Sequence, residues 1–380
     1  MMRDMILALT ILAAPASAQV APAAQVADAA RAAMAQTGAK GLAIAVIDRG
    51  KVASVQTFGA RNAKGAPLDP TTIMYGASIT KTVFAHLVLQ LVDEGRIDLD
   101  APIAKYLAKP LPDYGNLDAY GNWGDLAGDE RWRAITPRHL LTHSAGFANF
   151  HWDEPDRKLR IHFAPGSRYA YSGEGIMLLQ FVLEAGLGLK VGDELQRRIF
   201  DPFGMPDTSL IWRPAFARNL ADGWRIDGSV EPHDDRSRVR AAGSMDTTIA
   251  DIARFAAALV RGDRLSKRAH AEMRRISLPI TTAAQFPSLT PEAPPAKRHP
   301  GIGAGLGLVA FSGPQGRGVF KGGHNDSTGN TMVCVDKGKR CVVILANDVR
   351  AEAAFPALVR AVLGETGVPY RWEYPGLKAY

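Results

Sequence analysis

The chain has 380 residues, 47% of them apolar and 22% charged, which supplies enough apolar side chain for a substantial core and excludes disorder as its main state. Its formal charge of +7 comes from 45 Lys and Arg against 38 Asp and Glu, and the basic residues are dispersed. With no basic block and no binding motif, nucleic acid is not an expected partner.

Residues 1–18 read as an export leader. Met5–Ala14 is an apolar run too short to span a bilayer, and Ala16-Ser17-Ala18 supplies the small residues of a cleavage site. Residues 19–380 are then a mature chain, periplasmic or secreted, with no integral membrane segment expected in it. No cysteine follows the cleavage site, so a lipid anchor is not indicated.

Val26–Met34 has a helical pattern, and Gly41–Gly59 alternates apolar and polar residues around "DRGK" as a hairpin does. Tyr75–Phe84, "YGASITKTVF", reads as the start of an amphipathic helix. Two long loops follow, "LPDYGNLDAYGNWGDLAGDERW" from Leu111 and a six-proline stretch from Leu278. Loops of this length are often functional. They could wall a cleft, with Tyr114, Tyr120 and Trp123 as apolar surface, or be plain surface excursions.

The chain closes with strand-like runs, "GLGLVAF" from Gly305, "GVFKGGH" from Gly318, "NTMVCV" from Asn330 and "CVVILAN" from Cys341, then a helical stretch over Ala351–Leu363. Strands at both ends with helices between predict an α/β (α+β) fold. One sheet would come from about 41–75 and 300–365, with a mainly helical insertion over about 85–290. Cys334 and Cys341 flank "VDKGKR"; a turn at Lys337-Gly338 would let them bridge, and the alternative is two small buried apolar residues.

Ser78 and Lys81 lie three apart, on one face of a helix, so hydroxyl and ammonium can meet. The structural reading is a helix cap and a lysine stem over apolar surface. The chemical reading is a desolvated lysine that accepts the proton of a nucleophilic serine. Spacing alone does not choose. In "AITPRHLLTHSAGF", Thr136 caps a helix, Pro137 opens it and Gly146 ends it, and His143 reads as a packed, hydrogen-bonded histidine. In "FAPGSRYAYSGEG", Tyr171 and Ser172 sit on a bend before a helix that begins near Gly175. Tyr171 is either a core aromatic or a phenol that shuttles a proton. In "FKGGHNDSTGNTMV", glycines before His324 permit close backbone approach, and the residues after it look like an edge strand offering N–H groups to a ligand.

The ordered set "SITK", "RHLLTHSAGF", "FAPGSRYAYSG", "FGMPDTS", "AAGSMDTTIADIARF" and "GGHND" resembles the serine β-lactamase and penicillin-recognising superfamily, in the branch with class C β-lactamases, D-Ala-D-Ala carboxypeptidases and related esterases. The likeness runs from about Gly41 to Leu363. It implies an antiparallel sheet flanked by helices and a hydrolase that needs no cofactor or metal. The substrate would be a small ester, a peptide or a β-lactam. Ser78 would be the acylated nucleophile, Lys81 and Tyr171 would share the general-base work, and His324, Asn325 and Ser327 would contact substrate. By the same likeness His324 stands where many members carry lysine, and the N–H groups of Ser78 and Ser327 form the oxyanion hole. Two positions depart from the pattern: Gly173 where asparagine is common, and Asp326 where glycine is usual. They motivate a second reading, a non-catalytic protein that binds peptidoglycan or another partner. No Gly-x-Ser-x-Gly elbow and no His-Glu-x-x-His pair points to other hydrolase designs.

Overall fold

A computed structural model describes residues 20–374; the expected leader at 1–18 lies outside the described residues. In chain order come α1 (Ala23–Thr37), β1 (Gly41–Asp48), β2 (Lys51–Gly59), β3 (Met74–Tyr75), α2 (Thr80–Asp93), β4 (Asn116–Leu117), β5 (Gly121–Asn122), α3 (Pro137–Leu141), α4 (Gly173–Phe181) and α5 (Val191–Leu195). They are followed by β6 (Gly223–Trp224), β7 (Val230–Glu231), β8 (Asp246–Thr247), α6 (Ile249–Arg261), α7 (Lys267–Arg274), β9 (Leu278–Pro279), β10 (Ile302–Ala304), β11 (Val309–Gly313), β12 (Gly316–His324), β13 (Gly329–Val335), β14 (Arg340–Ala346), α8 (Phe355–Leu363) and α9 (Tyr370–Glu373).

Eight strands form one antiparallel sheet in the order β2-β1-β14-β13-β12-β11-β10-β9, which joins the two ends of the chain. Successive side chains of a strand face opposite sides. In β1, Ala43, Ala45 and Ile47 join the core that holds α2 and α6, while Leu42, Ile44 and Val46 join Val26 and Ala30 of α1 and Leu358 and Val359 of α8. Helices cover both faces, so β1, β13 and β14 are buried along their length rather than at alternate residues. α1 buries Val26, Ala30 and Ala33, a stripe with helical spacing, and stops where Gly38 turns left-handed at φ 73°.

The structure changes three readings. α2 is not amphipathic: every residue from Thr80 to Leu91 is buried, because it lies between the sheet and the helical layer. The run from Gly305 becomes a strand only at Val309, and Gly307 takes φ 71°. The segment after His324 is a turn leading into β13, which pairs on both sides, so it is no edge strand. The cysteines face one another in register, Cys334 against Cys341, and form a disulfide. Among the described residues no single helix is long and apolar enough to cross a membrane.

β14 is central, and Ile344 on it is fully buried between Ile44 and Thr331. Ile344→Ala leaves a cavity there and is expected to cost about 2–5 kcal/mol of unfolding free energy in a urea titration.

Candidate active site

Ser78 sits in a tight turn, Ala77–Ile79, that runs directly into α2. The residue before it, Ala77, has φ 45°, a left-handed conformation that costs energy for any residue with a β-carbon. Neighbouring bonds hold it: Gly76 N–H donates to the Met245 carbonyl at 2.8 Å, and Met245 N–H to Thr80 Oγ1 at 3.2 Å. β12 passes beneath. A β-carbon at Gly323 would lie 2.9 Å from the Ser78 nitrogen and 3.0 Å from the Gly76 oxygen, so only glycine lets the strand come this close.

Lys81 Nζ donates to Ser78 Oγ at 3.0 Å and also to the Ala242 carbonyl. The lysine is 1% exposed. Burial lowers its proton affinity, the charge of Lys321 lowers it further, and Tyr171 partly opposes both. Tyr171 stands on the opposite wall: the two ammonium groups, of Lys81 and Lys321, each lie 5.0 Å from its ring centre, and Lys321 Nζ donates to its hydroxyl at 3.4 Å. The bend that carries Tyr171 is fixed because Ser172 Oγ caps α4, accepting from Gly175 N–H at 2.9 Å, and donates to the Ala148 carbonyl at 2.8 Å. His143 is buried against Tyr171, with Nδ1 3.1 Å from the Ser172 carbonyl oxygen and 3.2 Å from its nitrogen.

Lys321 is the residue of this site that sequence reasoning missed. It lies on β12 in phase with Val319 and Gly323, facing the core that holds Ser78, and burial brings its pKa down to about 8. A lysine at an inward position of an otherwise buried strand was the available signal. Lys321, not His324, is the cation beside Tyr171. His324 is farther out, with Nδ1 3.2 Å from Glu352 Oε1 and its ring near Phe286 and Tyr374. Burial works to lower its pKa, but the Glu352 carboxylate and the charge of Glu373 raise it overall.

Ser327 is not where the resemblance put it. It is buried outside the cleft lining, its N–H bonds Asn325 Oδ1 at 3.1 Å and its carbonyl accepts from Trp224 N–H. The open edge of β12 supplies a different donor. The last pair with β11 is Phe320 with Val309, so residues 321–324 pair only with β13. Asn325 N–H donates to the Thr328 carbonyl at 3.1 Å on the β13 side, so strand alternation turns the N–H groups of Gly322 and His324 to the open edge.

A cleft of roughly 1660 Å³ opens over Ser78, Lys81 and Tyr171. His324, Asn325 and the exposed Asp326 line it, as does Phe286 from the proline-rich loop. Tyr114, Tyr120 and Trp123 do not; they pack around Phe181 of α4 at 5.0–5.8 Å between ring centres. At Gly173 the Phe150 ring occupies the space of a side chain, and the Gly173 N–H bonds Asn149 Oδ1 at 2.9 Å.

A serine on a strained turn, a buried lysine on its oxygen, and a tyrosine beside a second lysine come together in one cleft on an α/β scaffold. The chain belongs to the beta-lactamase family, whose sequence profile matches residues 26–364. It is 27% identical over 225 residues to a beta-lactamase of Escherichia coli K12, covering 57% of this chain and 55% of that protein. It is 25% identical over 289 residues to the D-alanyl-D-alanine-carboxypeptidase/endopeptidase AmpH of the same organism, covering 74% of this chain and 72% of that one. It thus spans only about half of the first relative and nearly three quarters of the second. An octameric penicillin-binding protein homologue from Pyrococcus abyssi shares the fold, with a TM-score of 0.71 at 20% identity over 92% of this chain and 79% of the other.

Gly323→Ala is expected to push β12 off the Ser78 turn. Ester hydrolysis should fall by about tenfold or more, while the circular dichroism spectrum stays native.

Proposed function

We propose that the protein is an exported serine hydrolase that cleaves an ester or amide carbonyl through an acyl-enzyme on Ser78. The observation that carries this is the 3.0 Å contact between Lys81 Nζ and Ser78 Oγ in a site where, among the described residues, no carboxylate hydrogen-bonds Lys81. An ammonium buried without a counter-ion tends to lose its proton, and a neutral lysine can take one.

Ser78 Oγ attacks the carbonyl carbon as its proton passes to Lys81. The oxyanion meets the N–H of Ser78 and, on the open strand edge, that of His324. A pair of main-chain donors of this kind is worth about a hundredfold or more in rate for each member. Tyr171, between Lys81 and Lys321, relays the proton to the leaving group. Water then repeats the sequence on the acyl-enzyme and frees the serine. Lys321 holds positive charge at Tyr171 and keeps the proton affinity of Lys81 low.

Small esters are the preferred substrate class, D-amino-acid peptides come next and β-lactams last. Phe150 fills the space at Gly173, so no side chain from that position can grip a substrate amide, and Asp326 sets a carboxylate at the cleft that disfavours anionic substrates. Export is supported by the leader-like residues 1–18 and by the Cys334–Cys341 disulfide, which suits an oxidising compartment.

Ser78→Ala is expected to bring hydrolysis of a short-chain nitrophenyl ester to the background rate in a folded protein; unchanged activity would refute the assignment. The pH profile gives a second test. Protonated Lys81 cannot accept the serine proton, so kcat/KM should rise with pH through a midpoint below the ordinary lysine value. Lys321→Met removes a like charge, raises the proton affinity of Lys81, and is expected to move that midpoint to higher pH. Lys81→Arg, which stays protonated, should be inactive throughout.

A further inference from the structure

Two spaces of very different size meet at Ser78. One is the wide cleft, larger than most small-molecule sites. The other lies along the open edge of β12 and has free room of only about 10 Å³, the space of one water molecule. Phe286, Glu373 and Tyr374 line both spaces, and in the small one they close against Gly322 and Gly323 of the strand.

The wall made by Glu373 and Tyr374 is built in, not draped. Trp372 is fully buried; its indole N–H donates to Thr282 Oγ1 at 3.1 Å, and its carbonyl accepts from Gln285 N–H at 2.7 Å. Gln285 in turn accepts from the Tyr169 hydroxyl at 2.9 Å. Tyr374 Oη donates to the Asn330 carbonyl of β13 at 3.3 Å. The C-terminal turn and the proline-rich loop therefore brace each other across the end of the strand. Glu373 goes further: its carboxylate occupies the place where a side chain at position 322 would start. Gly322 and Glu373 are a matched pair, the strand giving up a side chain and the tail filling the gap. A ligand that follows the open edge inward from His324 meets a space already filled by Glu373 and Tyr374.

We infer that the turn Tyr370–Tyr374 makes the site asymmetric, restricting the substrate group seated along β12 to about the size of a methyl group while the group on the other side of the scissile bond can be large. This rests on the acyl-transfer reading above. The restriction comes from rigid packing, since an oversized group would have to displace buried, hydrogen-bonded residues.

The test compares kcat/KM in two ester series on the mature chain: nitrophenyl esters lengthened from acetate to octanoate, and acetate esters lengthened in the alcohol. The wild type is expected to lose about tenfold or more along one series and to change little along the other. Glu373→Ala and Tyr374→Ala, each checked for native circular dichroism, should recover most of that loss in the intolerant series. Equal tolerance of both series by the wild type would overturn the inference without use of the variants, and so would a folded variant that keeps the full loss. Ser78→Ala separates the two levels: turnover that depends on Ser78 with an unmoved length profile removes only the size restriction, whereas turnover independent of Ser78 removes the hydrolase reading with it.

Discussion

The arrangement depends on one constraint, the placing of a lysine ammonium at the floor of the cleft where almost none of its surface meets water. Lys81 is 1% exposed, and its nitrogen finds a serine hydroxyl and a main-chain carbonyl rather than a carboxylate. In water such a lysine would hold its proton through neutral pH. Enclosed by α2, Tyr171 and the 242 segment, with Lys321 nearby, it is pushed toward the neutral form that can act as a base. α2 is buried on all sides because it lies between the sheet and the helical layer, and that burial encloses the stem of Lys81.

The sheet supplies the second half of the site through its edge. β12 runs past the end of β11, so its last four residues keep one free edge, and Gly323 lets that edge approach the nucleophile. In the proposed reaction an N–H from the strand and an N–H from the serine turn together hold the oxyanion. Neither element makes such a pocket alone; their separation fixes it, and a single β-carbon at position 323 would change that separation.

Much of this was legible in the sequence, for specific reasons. Helical spacing placed Ser78 and Lys81 together, and apolar runs at both ends located the sheet strands. The cysteines were visible as a hairpin pair, although register decided whether they bridge. Lys321 was missed because the histidine directly after the glycine pair drew attention; counting alternate positions back from Gly323 would have placed the lysine on the inward face. Ser327 was misplaced because the turn after His324 spends its N–H locally on Asn325, which spacing does not reveal. Tyr114, Tyr120 and Trp123 were open to either reading because an aromatic-rich loop looks the same whether it lines a cleft or packs on a helix. The gaps at Gly173 and Gly322 are filled by Phe150 and Glu373, residues distant in sequence, so their effect on the cleft is a tertiary property.

The central claim is that Ser78 carries the acyl group, and the most direct measurement is acid quenching during turnover of a nitrophenyl ester followed by intact-mass analysis and peptide mapping. The account predicts a transient mass increase equal to the acyl group, located on the peptide that contains Ser78. Steady turnover with no adduct at any quench time under conditions that slow deacylation, or an adduct mapped to another residue, would contradict it.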